Sequence, residues 1–175
     1  MGTGIIICGL NGAGKTTLGK ILAEKLGFYF LDSEELYFSR TDTNTPYACP
    51  CTRQEAEKRL LLAIQAHKDF VFAAVRWNFD EVVHPFFQYA VWLEVPKDIR
   101  MQRVKSRSFM KFGSRMLPGG DLYQQEERFF DLVRTRDESA IENWAQSPRC
   151  PVIRVDGTAP PAENAAFIIR TLEKR

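Results

Sequence analysis

The chain has 175 residues, of which 45% are hydrophobic and 26% charged, and its formal net charge is +2. That length and apolar content suit one domain, residues 1–175, and the small, interspersed charge disfavours a protein that wraps nucleic acid. The sequence opens on an apolar strand with no charged leader, and its four cysteines are too scattered for a disulfide framework, so we expect a cytoplasmic protein without a membrane span.

The first predicted strand, Gly4–Cys8, runs directly into residues 9–16, GLNGAGKT, which match the pattern G-x-x-x-x-G-K-[ST]. Such a loop holds a polyphosphate with inward-pointing backbone N–H groups, a fixed cation and a hydroxyl that binds magnesium. Lys15 is placed to reach the β- and γ-phosphates, Thr16 to coordinate Mg²⁺, and the helix that follows to offer its positive dipole end. The predicted nucleotide contacts of this segment are Gly9, Asn11, Gly12, Ala13, Gly14, Lys15, Thr16 and Thr17, the last through its hydroxyl to the α-phosphate.

Further along the chain, short apolar runs alternate with longer segments of helical period, a pattern typical of a parallel sheet covered by helices. The predicted strands are Gly4–Cys8, Phe28–Leu31, Phe70–Val75, Ala90–Val95 and Val152–Val155. The predicted helices are Lys15–Leu26, Ser33–Phe38, Arg53–His67, Asp80–Tyr89, Lys97–Phe112, Asp121–Gln146 and Ala162–Glu173. The sequence therefore predicts an α/β domain with five strands.

Two acidic residues follow the second strand. Asp32 lies at its carboxyl end and Glu34 two residues later, and ligands of open α/β sheets bind beyond the carboxyl ends of strands. Asp32 can therefore hold a magnesium-bound water or accept the proton of an attacking hydroxyl, while Glu34 can hydrogen-bond an acceptor substrate. The alternative for Ser33 and Glu35 is that they cap and fill the first turn of a helix.

Several arginines follow in the second half of the chain. Arg103 and Arg107 share one helix face with Arg100, and Arg115 lies in the glycine-rich segment 113–120. Guanidinium groups near a triphosphate neutralise charge during phosphoryl transfer, so we predict catalytic roles for Arg103, Arg107 and Arg115. For Arg100 we expect instead an exposed position on the solvated face of this helix.

The segment 113–120 joins two predicted helices beside the phosphate site, as a closing lid would. It ends at Asp121, which we expect to cap the next helix with Gln124 in a capping box. An ordinary helix hairpin is the alternative. In the helix beyond, either Arg134 or Arg136 can face the site, and acids such as Glu126 indicate an exposed surface.

The turn after the last strand contains Gly157, whose backbone can pack against an adenine ring. The alternative is a plain turn in which Thr158 caps a helix with proline at its start.

Together, the phosphate loop, the Asp32-Ser33-Glu34 step, the arginine-flanked loop and the Gly157 turn make the chain resemble the P-loop small-molecule kinases, which include adenylate, shikimate and gluconate kinases. It also resembles bacterial ATP-binding proteins that are labelled AAA-family ATPases. The resemblance implies a P-loop NTPase fold with three α/β/α layers, five parallel strands in the order 2-3-1-4-5, an acceptor-binding region at about residues 32–68 and a helical lid at about residues 103–121. On that mapping, Asp32 and Glu34 are similar to the D-x-D step of shikimate kinase, and Arg103 and Arg107 to the arginines before the lid.

The chain departs from these kinases after the third strand. Adenylate kinases carry a D-G-F-P-R-like segment there and shikimate kinases carry glycines, whereas residues 72–78 of this chain read FAAVRWN. The usual acceptor signatures are therefore missing. Arg76 remains a candidate for binding an anionic acceptor.

The leading hypothesis from the sequence is an enzyme that moves the γ-phosphoryl group of Mg-ATP to a small molecule: a nucleotide, nucleoside, sugar or small acid. The alternative is a regulatory protein that binds and slowly hydrolyses ATP and has no small acceptor. The low net charge disfavours an acceptor on RNA, and no N-K-x-D sequence is present to read guanine. The acceptor, the preference between ATP and GTP, and the oligomeric state stay open.

Overall fold

The computed structural model describes residues 2–38, 50–75, 81–137, 139–146 and 150–174. Five strands form one parallel sheet in the order β2-β3-β1-β4-β5. They are β1 (Gly4–Cys8), β2 (Tyr29–Asp32), β3 (Phe70–Ala74), β4 (Tyr89–Glu94) and β5 (Val152–Asp156). The central strand β1 pairs with β3 on one side and β4 on the other, so Ile6 lies between Phe72 and Ala90. The predicted five-stranded parallel sheet and its strand order are confirmed.

Both faces of the sheet are covered, which explains why the strands read as unbroken apolar runs. On one face Ile6 and Cys8 pack with Leu60 of a helix, and on the other Ile5 and Ile7 pack with Leu18. The helices are α1 (Lys15–Leu26), α2 (Ser33–Tyr37), α3 (Arg53–Ala66), α4 (Lys97–Phe112), α5 (Tyr123–Thr135), α6 (Ser139–Gln146) and α7 (Pro161–Glu173). In the described part of the chain, none of these is both long enough and apolar enough to span a membrane.

Two of the predicted helices were wrong in extent. The predicted helix Asp121–Gln146 is two helices, because the backbone at Arg136 is extended. The Asp137 carboxylate then accepts a 3.0 Å hydrogen bond from Ser139 N, the first residue of the next helix. The predicted helix Asp80–Tyr89 is a short 3-10 helix, Glu81–Phe86, that contains Pro85. Proline removes a backbone donor there, and Tyr89 already belongs to β4.

The predicted lid is a helical hairpin with a small core of its own. A 3-10 turn, Gly113–Met116, joins α4 to α5, and Val104, Met116, Phe130 and Val133 pack together between them. Because Glu126 points into this hairpin, it is only 5% exposed, and its expected place on a solvated surface was wrong.

The capping box expected at Asp121 and Gln124 was also wrong, since α5 begins at Tyr123 after Leu122. The Asp121 carboxylate instead accepts hydrogen bonds from Arg115, at 3.0 Å from Nε and 2.6 Å from Nη2. This ion pair joins Arg115, inside the glycine-rich segment, to the residue that follows the segment.

Candidate active site

The phosphate loop lies at the carboxyl end of β1, where it turns into α1. Gly12 adopts a φ of 83°, and a Cβ there would lie 2.4 Å from the carbonyl oxygen of Arg100, so only glycine fits this position. Gly14 precedes the helix and has no side chain to cap it. The first N–H groups of α1 therefore receive no hydrogen bond from a capping side chain.

Lys15 is half-buried beside this loop, and its Nζ donates a 3.2 Å hydrogen bond to the carbonyl oxygen of Leu10. Burial lowers the pKa of Lys15 to about 8, although the carboxylates of Glu34 and Asp32 oppose that shift. The ammonium group is thus partly withdrawn from water, which strengthens its attraction for a bound polyphosphate.

Thr16 and Asp32 meet across the site, with the Thr16 hydroxyl donating a 2.6 Å hydrogen bond to Oδ2 of Asp32. Asp32 ends β2 and is 8% exposed, and its other oxygen accepts a 2.9 Å hydrogen bond from Glu34 N at the start of α2. A hydroxyl and a carboxylate this close are the hard oxygen ligands that Mg²⁺ prefers. No group of three or more His, Cys, Asp or Glu side chains suited to a metal occurs among the described residues.

These residues line a cleft of about 220 Å³ at the carboxyl edge of the sheet. Its walls also include Glu34 from α2, Val75 after β3, and Arg103 and Arg107 from α4. The structure therefore places six of the predicted site residues on one cleft: Lys15, Thr16, Asp32, Glu34, Arg103 and Arg107. Arg76 lies outside the described residues.

Arg103 connects three parts of the site. Its Nη1 lies 3.5 Å from the carbonyl oxygen of Gly12, 3.4 Å from that of Ala13 and 3.1 Å from that of Gly157. The guanidinium group thus joins α4 to the phosphate loop and to the turn after β5. Arg115 is not part of this cluster, because it is paired with Asp121 in the hairpin.

A second cavity, of about 320 Å³, adjoins the phosphate loop at Ala13 and Gly14. It is lined by Thr17, Arg103, the turn from Gly157 to Pro161, and Asn164. A Cβ at Gly157 would lie 2.4 Å from Cγ2 of Val95, so this position requires glycine. Thr158 does not cap α7; its hydroxyl and N–H both donate to Asp156 inside the turn.

The structure separates Arg134 from Arg136, between which the sequence did not choose, and it corrects the expectation for Arg100. Arg136 donates a 2.7 Å hydrogen bond to the side-chain oxygen of Asn11 in the phosphate loop, whereas Arg134 pairs with Asp131 on the surface. Arg100 is 3% exposed and donates to the carbonyl oxygen of Val95 at 3.0 Å, so its expected solvated position was wrong. The helix break at Arg136 turns its side chain towards the loop, and no motif signals that break.

A larger cavity of about 1230 Å³ lies between α6 and the carboxyl ends of β4 and β5. It holds Trp92, with the guanidinium of Arg154 stacked 4.3 Å from its ring centroid, and it reaches the phosphate loop only at Leu10. The catalytic candidates Lys15, Thr16 and Asp32 line the small cleft, so we assign the site there on the chemistry of its walls rather than on size.

Comparison with known proteins agrees with this geometry. A family model described as an AAA domain matches residues 5–115, well over half of the chain. The uncharacterized protein YqaC of Bacillus subtilis is 26% identical over 162 residues, covering 87% of each protein. A shikimate kinase of Thermosynechococcus vestitus is 29% identical over 148 residues, covering 77% of this chain and 74% of the kinase. The solved structure of a deoxyadenosine kinase from M. mycoides superposes with a TM-score of 0.57 at 16% identity, covering 99% of this chain and all of that one.

The matched residues include the phosphate loop, Asp32 and the arginines of α4. The fold of the solved kinase also spans the whole sheet and the hairpin. The chain therefore belongs to the AAA domain family, and it shares the fold of the solved deoxyadenosine kinase.

Proposed function

We propose that the protein is an ATP-dependent phosphotransferase that moves the γ-phosphoryl group of Mg-ATP to a small-molecule acceptor. The observation that carries this proposal is the 2.6 Å hydrogen bond between Thr16 and Asp32, made beside the half-buried Lys15 in one cleft. It joins the phosphate loop to the carboxyl end of the neighbouring β2–α2 segment, where an acceptor hydroxyl would approach the γ-phosphate.

The donor side is formed by the loop and the turn after β5. The backbone N–H groups of residues 12–17 bind the phosphates, Lys15 neutralises the β- and γ-phosphates, and the cavity beside Gly157 takes the base. Arg103 and Arg107 add positive charge from α4 where the γ-phosphoryl group would lie. Arg115 would contribute only after leaving Asp121.

Thr16 and Asp32 fit a magnesium ion and would hold it directly or through water. When bound, the ion neutralises charge on the β- and γ-phosphate oxygens. Asp32 also orients the acceptor hydroxyl and takes its proton as the oxygen bonds to the γ-phosphorus and the bond to the bridging oxygen of ADP breaks. Catalysis then depends on positioning and charge rather than on covalent chemistry by the protein.

The acceptor side comprises Glu34 and the rest of the region from residue 32 to residue 68, and Arg76 stays a candidate for binding an acceptor. Relatives include shikimate kinases, and the solved fold relatives include a deoxyadenosine kinase, so both a small acid and a nucleoside are acceptors to test. The hairpin from residue 103 to residue 121 acts as the lid, and residues 1–175 act as one domain.

The proposal is tested by measuring ATP turnover against a panel of nucleosides, nucleotides, sugars and small acids. A kinase gives turnover that rises sharply with one metabolite, and the Lys15→Ala variant loses that rise. Turnover that responds only to a protein partner would instead indicate a regulatory ATPase.

A further inference from the structure

Asn11 is a residue of the phosphate loop whose type the motif does not specify. The pattern G-x-x-x-x-G-K-[ST] allows any residue at that position. Its side-chain oxygen Oδ1 accepts a 2.7 Å hydrogen bond from Nη1 of Arg136, which lies 125 residues further along the chain. Asn11 is half-buried, so this contact is partly shielded from water. The loop therefore holds an amide that a distant arginine fixes in place.

The chemistry of Arg136 decides which way this amide is turned. A guanidinium group has only hydrogen-bond donors, so it can pair with Oδ1 of Asn11 but not with Nδ2. The oxygen is therefore turned towards Arg136 and the NH₂ group away from it. Among the described residues, Nδ2 of Asn11 has no hydrogen-bond partner. Its two N–H donors are thus available to a ligand.

Asn11 separates the catalytic cleft from the larger cavity beside α6. It lines the cleft together with Lys15 and Asp32. Arg136 lines the larger cavity and is not part of the cleft wall. The guanidinium thus contacts the amide from outside the cleft, which leaves the NH₂ group for the cleft itself.

Asn11 also belongs to the end of the loop that would hold the γ-phosphate. The cavity assigned to the base is lined by Ala13 and Thr17 but not by Asn11. Nζ of Lys15, which would neutralise the β- and γ-phosphates, contacts the carbonyl oxygen of Leu10, the neighbour of Asn11 in the chain. An amide at this end of the loop therefore meets the transferred group rather than the base.

We propose, on the basis of the proposed kinase function, that Asn11 is a catalytic residue whose Nδ2 donates a hydrogen bond to a γ-phosphoryl oxygen during transfer. Arg136 is then the positioning residue that orients this amide. A donor aimed where negative charge spreads over the phosphoryl oxygens stabilises the transition state. The guanidinium behind the amide polarises it and strengthens its donor end. No bond to Asn11 forms or breaks, and the amide keeps its protons.

The first test replaces Asn11 with alanine and with aspartate and measures ADP release from Mg-ATP with water as the acceptor. Asn11→Asp is almost isosteric and still accepts from Arg136, but it turns a negative acceptor towards the phosphate. We expect kcat to fall by about a hundredfold in Asn11→Ala and further in Asn11→Asp. A purely structural contact predicts the opposite order, because aspartate pairs with arginine more strongly than asparagine does. A kcat near the wild-type value in Asn11→Asp would overturn the inference.

The second test measures binding and does not need turnover. Mg-ADP lacks the γ-phosphoryl group, and aluminium fluoride bound beside it imitates that group in transfer. We expect Asn11→Ala to reduce the affinity gained from aluminium fluoride, the ratio of the two Kd values, by about tenfold. A looser loop would weaken both complexes alike, so an unchanged ratio would overturn the inference.

The third test asks whether Arg136 acts through Asn11. We expect Arg136→Ala to lower kcat by about tenfold alone but to have no further effect on kcat in the Asn11→Ala background. Arg134→Ala, which removes an exposed ion pair with Asp131, is the matched control and should keep the wild-type kcat. Losses of kcat that add up in the double variant would contradict the positioning role.

The Lys15→Ala variant separates this inference from the proposed function. If it loses turnover while both Asn11 variants keep the wild-type kcat, the inference fails and the kinase function stands. If Lys15→Ala keeps the wild-type turnover, the cleft is not the active site, and the proposed function fails together with the inference.

Discussion

The hydroxyl of Thr16 donates a 2.6 Å hydrogen bond to the carboxylate of Asp32, although the two residues lie on different elements, α1 and β2. This contact joins the nucleotide-binding loop to the acceptor side of the cleft. We propose that these two oxygens are the ligands that a magnesium ion would share with the phosphates.

Removing charge from Asp32 should impair magnesium use without unfolding the chain. The Asp32→Asn variant keeps a side chain that can cap α2 but supplies a neutral ligand, so we expect at least a hundredfold loss of kcat and a higher Mg²⁺ concentration at half-maximal rate. Steady-state kinetics over a magnesium titration measure both. Thr16→Ser, which keeps the hydroxyl, is the matched control and should retain most activity; equal losses in the two variants would contradict the assignment.

Affinity for ATP should depend on pH through Lys15. Its pKa in the free protein is about 8, lowered mainly by burial, and bound phosphates should raise it. ATP affinity is therefore full below pH 8 and falls above it, by up to tenfold per pH unit, because binding must then take up a proton. Calorimetric titrations from pH 7 to pH 9.5 test this. Lys15→Arg stays charged and should give a flat profile, and a wild-type profile as flat as that would count against the prediction.

The three carbonyl contacts of Arg103 predict a role in holding ATP. Arg103→Lys keeps the charge but cannot span Gly12 and Gly157 with one planar group, so we expect the Kd for ATP to rise at least tenfold. Lys105→Ala, an exposed change on the same helix, should leave the Kd within twofold. An unchanged Kd in Arg103→Lys would mean that the bridge does not support binding.

Arg136 and Arg134 form a natural matched pair. Arg136→Ala removes the 2.7 Å hydrogen bond to Asn11 and should loosen the phosphate loop, raising KM for ATP several-fold. Arg134→Ala removes only an exposed pair with Asp131 and should behave as the wild type. Equal kinetics for the two variants would show that the contact with Asn11 has no effect on the loop.

The sequence predicts the parts of this fold that depend on local pattern. The apolar runs identify all five strands, and the glycines and lysine of residues 9–16 identify the loop, because a parallel sheet and a phosphate cradle each impose a distinctive spacing. The strand order came from the resemblance rather than from periodicity.

Features that depend on tertiary contacts were missed. Arg100 and Glu126 look like surface residues on their helices, yet both are buried by the packing of other elements. Asp121 has the sequence of a helix cap but pairs with Arg115, since the turn between them brings the two side chains together. Secondary-structure propensity depends only on residues that are close along the chain, so it does not predict such tertiary contacts.

The central claim is transfer of a phosphoryl group to a small molecule, and it is tested most directly by following the γ-phosphate of labelled ATP. The protein is incubated with labelled Mg-ATP and a mixture of small metabolites, and the labelled products are separated by mass. We expect one labelled organic phosphate, formed in equal amount to ADP and lost by orders of magnitude in Lys15→Ala. Label found only in inorganic phosphate, or transfer at the wild-type rate by Lys15→Ala, would contradict the assignment of this cleft as a kinase active site.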